Sequence, residues 1–232
     1  MKKRFAAFVS TVLAAVLCAC SAAPKDVLPN KAAQPTEAPT QQAQTTQAAP
    51  TEQPTPEPDL VQQLLEEMTL EQKVGQLFLV RPDSLDLSQT QDQINDAKAD
   101  GVTELTDAMR QTLAEYPVGG VVIFGKNLES PQQITQFLDD LQQASDTPLF
   151  TAIDEEGGLV ARLANNAAFD LPQYESAAAV GTSGNPEDAR AMGRTIGGYL
   201  KEYGFNLDFA PVADVNTNPD NPVIGTRAFS SE

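Results

Sequence analysis

From Asp59 onward the apolar and polar positions alternate in blocks whose period switches between that of helices and that of buried strands. The stretch Asp59-Leu60-Val61-Gln62-Gln63-Leu64-Leu65-Glu66-Glu67-Met68 carries apolar residues at helical spacing and predicts a helix. After Thr69, residues 70–76 read as a second short helical turn leading into the apolar run Leu77-Phe78-Leu79-Val80, the first strand. Residues 81–103 are polar and irregular. A helix is then expected from Glu104 to Tyr116, closed by Pro117, and a buried second strand over Gly119–Phe124. Ser130 is placed to cap a helix with Pro131 in its first turn, running to about Ala144, and Pro148 keeps it from continuing. Leu149–Ile153 is the third strand. A further helix is expected from Pro186 to Tyr203, ended by Gly204, before a fourth strand over Asn206–Val212.

Short apolar strands alternating with helices imply an α/β fold with a parallel sheet covered on both sides. The pattern alone leaves open an open doubly wound sheet and a closed eightfold barrel. The 174 residues from Asp59 to Glu232 are fewer than the roughly 250 typical of such a barrel.

The first 58 residues read differently. Lys2, Lys3 and Arg4 precede an apolar run from Phe5 to Leu17, too short to span a bilayer comfortably, as expected of an export signal over residues 1–19. Leu17-Cys18-Ala19-Cys20 resembles the lipobox of bacterial lipoproteins, which makes Cys20 the expected lipidated residue. The expected partner there is a membrane, and the expected location is the extracytoplasmic side of a bacterial cell membrane. Residues 21–58 contain 28 Ala, Pro, Gln and Thr and no aromatic residue, so segment 20–58 is expected to be the lipidated cysteine and a disordered linker. Both cysteines precede residue 21, so no disulfide is expected in the domain at 59–232. Loss of residues 1–19, which hold three cations and no anion, takes the formal charge from −17 to −20 and argues against nucleic acid as a partner.

Binding groups in either architecture gather at the carboxyl ends of the strands. After the third strand stands Asp154-Glu155-Glu156-Gly157-Gly158-Leu159-Val160-Ala161-Arg162, three acids and a glycine pair where the backbone must turn tightly or approach a ligand. Carboxylates accept from pairs of hydroxyls and a guanidinium donates parallel hydrogen bonds, so such a cluster suits a polyhydroxylated ligand. Asp154 and Glu156 are not read as a catalytic carboxyl pair. Alternate strand residues stand about 6.6 Å apart on one side, whereas a glycosidase needs its two carboxyl groups on opposite sides of the anomeric centre. Asp154 is read as an acceptor for substrate hydroxyls. After the fourth strand comes a long loop, 213–229, in which Asn216, Asn218 and Asp220 suit Asx turns and Arg227 is the residue expected to reach a ligand.

Three segments together resemble glycoside hydrolase family 3: Ile153-Asp154-Glu155-Glu156-Gly157-Gly158 with Arg162, Asp208-Phe209-Ala210-Pro211-Val212-Ala213-Asp214-Val215-Asn216, and Asn221-Pro222-Val223-Ile224-Gly225-Thr226-Arg227. Met68–Leu77 and Val118–Phe124 match as well. The resemblance implies the first half, about four strands, of a (β/α)8 TIM barrel. Within the family the acid-acid-Gly-Gly segment is similar to the β-N-acetylhexosaminidase branch. It implies Asp154, Arg162 and Arg227 as contacts to a bound N-acetylglucosamine; Glu155 stands where Gln or His is more usual and is assigned no contact.

The family's aspartate nucleophile and this branch's histidine acid/base belong to segments after the fifth and seventh strands, and the 232 residues contain no histidine. The resemblance therefore implies that both lie beyond Glu232, that no catalytic residue is in this chain, and that these residues alone are inactive and poorly folded, with the first and fourth strands exposed as edges. The activity implied for the whole protein is retaining hydrolysis of terminal β-linked N-acetylglucosamine, on peptidoglycan fragments. A β-glucosidase or β-xylosidase of the same family and a non-catalytic carbohydrate-binding lipoprotein are the alternatives. No motif suggests a cofactor or a metal.

Overall fold

The computed structural model describes residues 59–232; the expected leader, Cys20 and the linker lie outside the described residues. Among the described residues, six strands occur in chain order: β1 (Leu79–Val80), β2 (Gly120–Ile123), β3 (Phe150–Ile153), β4 (Glu155–Gly157), β5 (Val160–Ala161) and β6 (Leu207–Asp208). β1, β2, β3 and β6 form one parallel sheet in that spatial order, with Val80 opposite Val121, Ile123 opposite Ile153, and Ile153 opposite Asp208. Each strand is added on the same side of its predecessor. A doubly wound sheet reverses that direction at a switch point, and no reversal occurs among these strands. This is the winding of the first four strands of a (β/α)8 barrel, and β1 and β6 are its exposed edges, as expected.

Among the described residues, seven α-helices connect and flank the strands: α1 (Leu60–Glu67), α2 (Leu70–Gly75), α3 (Gln91–Asn95), α4 (Asp107–Glu115), α5 (Pro131–Ala144), α6 (Ala177–Thr182) and α7 (Pro186–Glu202). The starts of the long ones follow from local chemistry. Ser130 Oγ accepts from the Gln133 amide ahead of Pro131, and Asn185 Oδ1 accepts from the Glu187 amide ahead of Pro186. On α5, Ile134, Phe137, Leu138 and Leu141 line one buried stripe, and on α7 Met192, Ile196, Tyr199 and Leu200 line another. Both stripes belong to one core with Val121, Ile123 and Ile153 of the sheet.

Several segments differ from expectation. The first strand starts at Leu79 because the Leu77 and Phe78 amides donate to Val74 and Gly75, continuing the turn out of α2 and leaving both side chains exposed. Helix α4 starts three residues late, where Thr106 Oγ accepts from the Met109 amide. The irregular stretch holds a 3-10 turn, Pro82–Leu85, and α3, whose Thr90 and Gln93 cap each other's amides. The fourth strand shrinks to Leu207–Asp208; the Asn206 side chain bonds the Thr151 amide and the Leu149 carbonyl at its start, and Pro211 brings no amide proton to a ladder.

Leu141 is fully buried while Leu60 of α1 is 72% exposed. Leu141→Ala is expected to lower the unfolding free energy by about 2–5 kcal/mol, and Leu60→Ala by no more than about 0.5 kcal/mol, in urea denaturation. Equal effects would contradict this placement of the core.

Candidate active site

The segment after β3 is built around one buried carboxylate. Glu155 is fully buried; Oε2 accepts from the Leu163 amide at 2.8 Å, and Oε1 from the Ala164 amide at 2.9 Å and the Tyr199 hydroxyl at 2.8 Å. It thereby fastens the antiparallel β4–β5 hairpin to α7. Burial and the adjacent carboxylate of Glu155 push the Tyr199 phenol far up from its ordinary value, so it remains a donor. The hairpin turns at Gly157 and Gly158, with φ of +81° and +70°. A Cβ on Gly158 would stand 2.8 Å from Ser176 Cα, and one on Gly157 would run into the Met192 side chain. The glycine pair thus serves a tight turn against α7 and the Ser176 backbone. Glu155, to which the resemblance assigns no ligand contact, is turned inward.

With Glu155 turned inward, its neighbours emerge at the carboxyl end of β3, where each meets a guanidinium. Arg162 Nη2 donates to Asp154 Oδ2 at 3.1 Å, and both side chains remain about one-third to one-quarter exposed (34% and 26%). Arg227 lies in a 3-10 turn, Gly225–Arg227, at the far end of the 213–229 loop. Its Nε and Nη2 donate to Glu156 Oε2 and Oε1 at 2.8 and 2.6 Å, and its Nη1 to the Val223 carbonyl at 3.2 Å. The paired carboxylate, followed by nearby Asp154 and Asp214, raises the affinity of Arg227 for its proton further, against the effect of burial. The three residues expected to touch a ligand are therefore brought to one end of the sheet, Arg227 by way of Glu156. Asp154 and Glu156 each face a cation. In the loop, Asn218 Oδ1 accepts from the Asp220 amide, an Asx turn, while Asn216 and Asp220 show no such side-chain turn.

Several residues at this end were missed from sequence because only the segments after the third and fourth strands were searched for chemistry. Arg81 directly follows β1 and lies with its Cζ 4.2 Å from the centroid of Phe124, the residue after β2; Arg162 lies 5.4 Å from the same ring. Asp83 is fully buried, 3.2 Å from Lys126 Nζ and accepting from Asn127 Nδ2 at 3.0 Å, a link that joins the loops after β1 and β2. A cationic residue placed immediately after an apolar strand run was the available signal for Arg81. Among the described residues, no group of three or more acid, histidine or cysteine side chains is arranged to hold a metal ion.

Asp208, at the end of β6, accepts from the Glu155 amide at 3.0 Å. Burial, reinforced by the carboxylates of Glu155, Asp154 and Glu156 and opposed by that hydrogen bond, pushes its pKa up from 3.8 to about 6. The folded protein holds this proton to higher pH than the unfolded chain does. Asp208 thus favours folding below about pH 4, and that contribution is lost as pH rises to about 6. Asp208→Asn is expected to gain stability relative to the native protein across that window in pH-resolved thermal melts; a constant difference from pH 4 to 6 would contradict the shift.

A sequence profile described as the Glycosyl hydrolase family 3 N terminal domain matches residues 69–232. "Beta-hexosaminidase A" of Pseudoalteromonas piscicida is 37% identical over 134 residues, covering 56% of this chain and 22% of that protein. "Beta-hexosaminidase" of Thiobacillus denitrificans is 33% identical over 134 residues, covering 56% and 36%. The chain thus spans between about a fifth and about a third of the length of these relatives. Among solved structures, a glycoside hydrolase family 3 β-N-acetylglucosaminidase from Paenibacillus superposes with a TM-score of 0.57 at 34% identity, over 70% of this chain and 27% of that one. A glycosyl hydrolase of the GH3 family from Mycobacterium smegmatis gives 0.53 at 28%, over 72% and 43%. On the profile match across most of its length, joined to the strand order and the pairs at the end of β3, the chain belongs to glycoside hydrolase family 3.

Proposed function

We propose that the protein is a retaining β-N-acetylhexosaminidase that releases terminal β-linked N-acetylglucosamine from peptidoglycan fragments, and that this chain supplies its sugar-holding half. The observation that carries the reading is the Asp154–Arg162 pair at the carboxyl end of β3. Its carboxylate presents acceptors to vicinal hydroxyls and its guanidinium presents donors to ring substituents, so one sugar is gripped from both sides of its hydrogen-bonding repertoire. Arg227, held by Glu156, stands as the third contact. The names of the relatives in Pseudoalteromonas and Thiobacillus and of the Paenibacillus structure support N-acetylglucosamine over glucose.

Catalysis by this reading needs a nucleophile and a general acid/base on opposite faces of the glycosidic bond. None of the acids described here is assigned either role: Glu155 is buried, Asp154 and Glu156 are ion-paired, and Asp208 caps the Glu155 amide. The part played by this chain is binding and orientation, which contributes to rate by fixing the sugar before attack. Lipidation at Cys20 and an Ala/Pro/Gln/Thr-rich tether over 21–58 would hold the enzyme on the extracytoplasmic side of a bacterial membrane, facing the cell wall.

The test is hydrolysis by the full-length protein of chromogenic β-N-acetylglucosaminide and β-glucoside side by side. The acetamido substrate is expected to be preferred, and Asp154→Asn to cut kcat/KM by about 100-fold while the thermal midpoint stays near that of the native protein. Preference for the β-glucoside would place the protein in another branch of the family and overturn the reading.

A further inference from the structure

Inside the β4–β5 hairpin two clamps run side by side in one register. The outer one is the sugar-holding pair, Arg162 Nη2 on Asp154 Oδ2 at 3.1 Å. The inner one is made by their immediate chain neighbours: Glu155, next to Asp154, accepts from the amides of Leu163 and Ala164, the two residues after Arg162, at 2.8 and 2.9 Å. The acid end of the outer pair is further fixed by the Glu155 amide on Asp208 Oδ1 at 3.0 Å. At the other end, Gln173 Nε2 holds the Ala164 carbonyl at 2.7 Å and leaves the Ala164 amide to Glu155. Arg162 itself makes one side-chain hydrogen bond, and its buried Nε has no partner. Its position therefore depends on the backbone that the inner carboxylate holds.

All three partners of Glu155 are donors. Two are backbone amides, which cannot turn into acceptors, and they lie on different oxygens. A carboxylate meets that demand with both oxygens, whereas a glutamine of the same shape presents its NH2 to one of the two amides whichever way it is turned. The third donor is the Tyr199 hydroxyl at 2.8 Å, 44 residues away on α7. Burial and the neighbouring Glu155 carboxylate keep the proton on that phenol. Its ring sits in the buried stripe with Met192, Ile196 and Leu200, so the hydroxyl is delivered from a fixed place.

We propose that Glu155 and Tyr199 are positioning residues for the saccharide site: the carboxylate, held at its third bond by the α7 hydroxyl, sets the backbone after Arg162 and with it the guanidinium that faces Asp154. The proposal rests on the saccharide reading given above and adds to it that the grip on the sugar requires an ion no ligand touches. Neither residue contacts the sugar, and both act through the Asp154–Arg162 pair.

The experiment uses full-length protein and compares Tyr199→Phe, Glu155→Gln, Asp154→Asn and the double variant Tyr199→Phe with Asp154→Asn. Leu200→Val, which trims the same buried stripe of α7 and leaves Glu155 its three donors, is the control for stability alone. Measured are N-acetylglucosamine affinity by calorimetric titration, KM and kcat on a chromogenic β-N-acetylglucosaminide, and the thermal midpoint. Tyr199→Phe is expected to weaken sugar binding and raise KM about 10-fold, and Glu155→Gln by up to about 100-fold, with kcat changing far less. Leu200→Val lowers the thermal midpoint and leaves KM as it was. In the Asp154→Asn background Tyr199→Phe adds far less than it costs in the native protein, because the pair it positions is already broken. Tyr199→Phe removes one hydroxyl and keeps the ring packed, so it decides the matter even where Glu155→Gln does not fold. Unchanged sugar binding in Tyr199→Phe, or the same loss with and without Asp154→Asn, overturns the proposal and leaves Glu155 and Tyr199 as supports of the fold. If Asp154→Asn itself leaves N-acetylglucosamine binding unchanged, the saccharide reading fails and the proposal with it; if Asp154→Asn weakens binding and Tyr199→Phe does not, the positioning role alone fails.

Discussion

The geometry of the site depends on the burial of Glu155. A carboxylate with no solvent contact is costly unless its oxygens are fully hydrogen-bonded, and here two backbone amides and a tyrosine hydroxyl meet them. All three donors come from segments later in the chain than β3, so satisfying the carboxylate forces the backbone to fold back as the β4–β5 hairpin and draws α7 against it. The Glu155 amide, donating to Asp208, ties the same residue to the neighbouring strand β6. Period-two alternation then leaves Asp154 and Glu156 no choice but the opposite side. One buried acid thus sets the direction of its two neighbours, the half-buried Asp154 and the buried Glu156, and through them the positions of Arg162 and Arg227.

Along the chain, the legible parts were those where one local rule acted alone. Helices α5 and α7 follow from Ser130-Pro131 and Asn185-Pro186 caps with apolar stripes behind them, and strands β2 and β3 from uninterrupted apolar runs. The weak edges β1 and β6 were overestimated because apolar character marks burial in the final protein and not ladder pairing: Leu77 and Phe78 are apolar, exposed and part of a turn. The α3 capping box, Thr90 with Gln93, was present as a readable spacing, yet only a weak apolar stripe follows it. The β4–β5 hairpin is two and three residues long and rich in acids, so no propensity marks it; only the partners of Glu155, up to 44 residues away, specify it.

The site was legible to the extent that residue type limits chemistry. Asp154, Arg162 and Arg227 come together at the end of the sheet where binding groups were expected, but which acid meets which guanidinium was not legible, since sequence spacing does not say which of three consecutive acids is buried. The Asp83–Lys126 link was invisible for a related reason. It joins positions 43 apart through a buried ion pair, and such pairs leave no periodicity; a buried pair is retained where removing one partner would strand the other. Its effect is to hold the loops after β1 and β2 together, which in turn brings Arg81 over Phe124.

The two arginines at the carboxyl end of the sheet, Arg162 and Arg227, differ in what they have left to offer. Arg227 uses Nε and Nη2 on both oxygens of Glu156 and Nη1 on the Val223 carbonyl, so all three of its nitrogens are engaged. A ligand contacting it must share or displace one of those bonds, at a cost set by a charge-assisted bidentate pair. Arg162 makes one contact to Asp154 and keeps a buried Nε without a partner, and an unsatisfied buried donor disfavours the free state by a desolvation penalty of about 1–3 kcal/mol. A hydroxyl or carbonyl oxygen reaching that nitrogen would recover the penalty on binding. The more exposed and less fully bonded pair, Asp154 with Arg162, is therefore the one suited to grip a sugar, and the pair of Glu156 with Arg227 is suited to fix the 213–229 loop against the end of the sheet so that the grip keeps its shape.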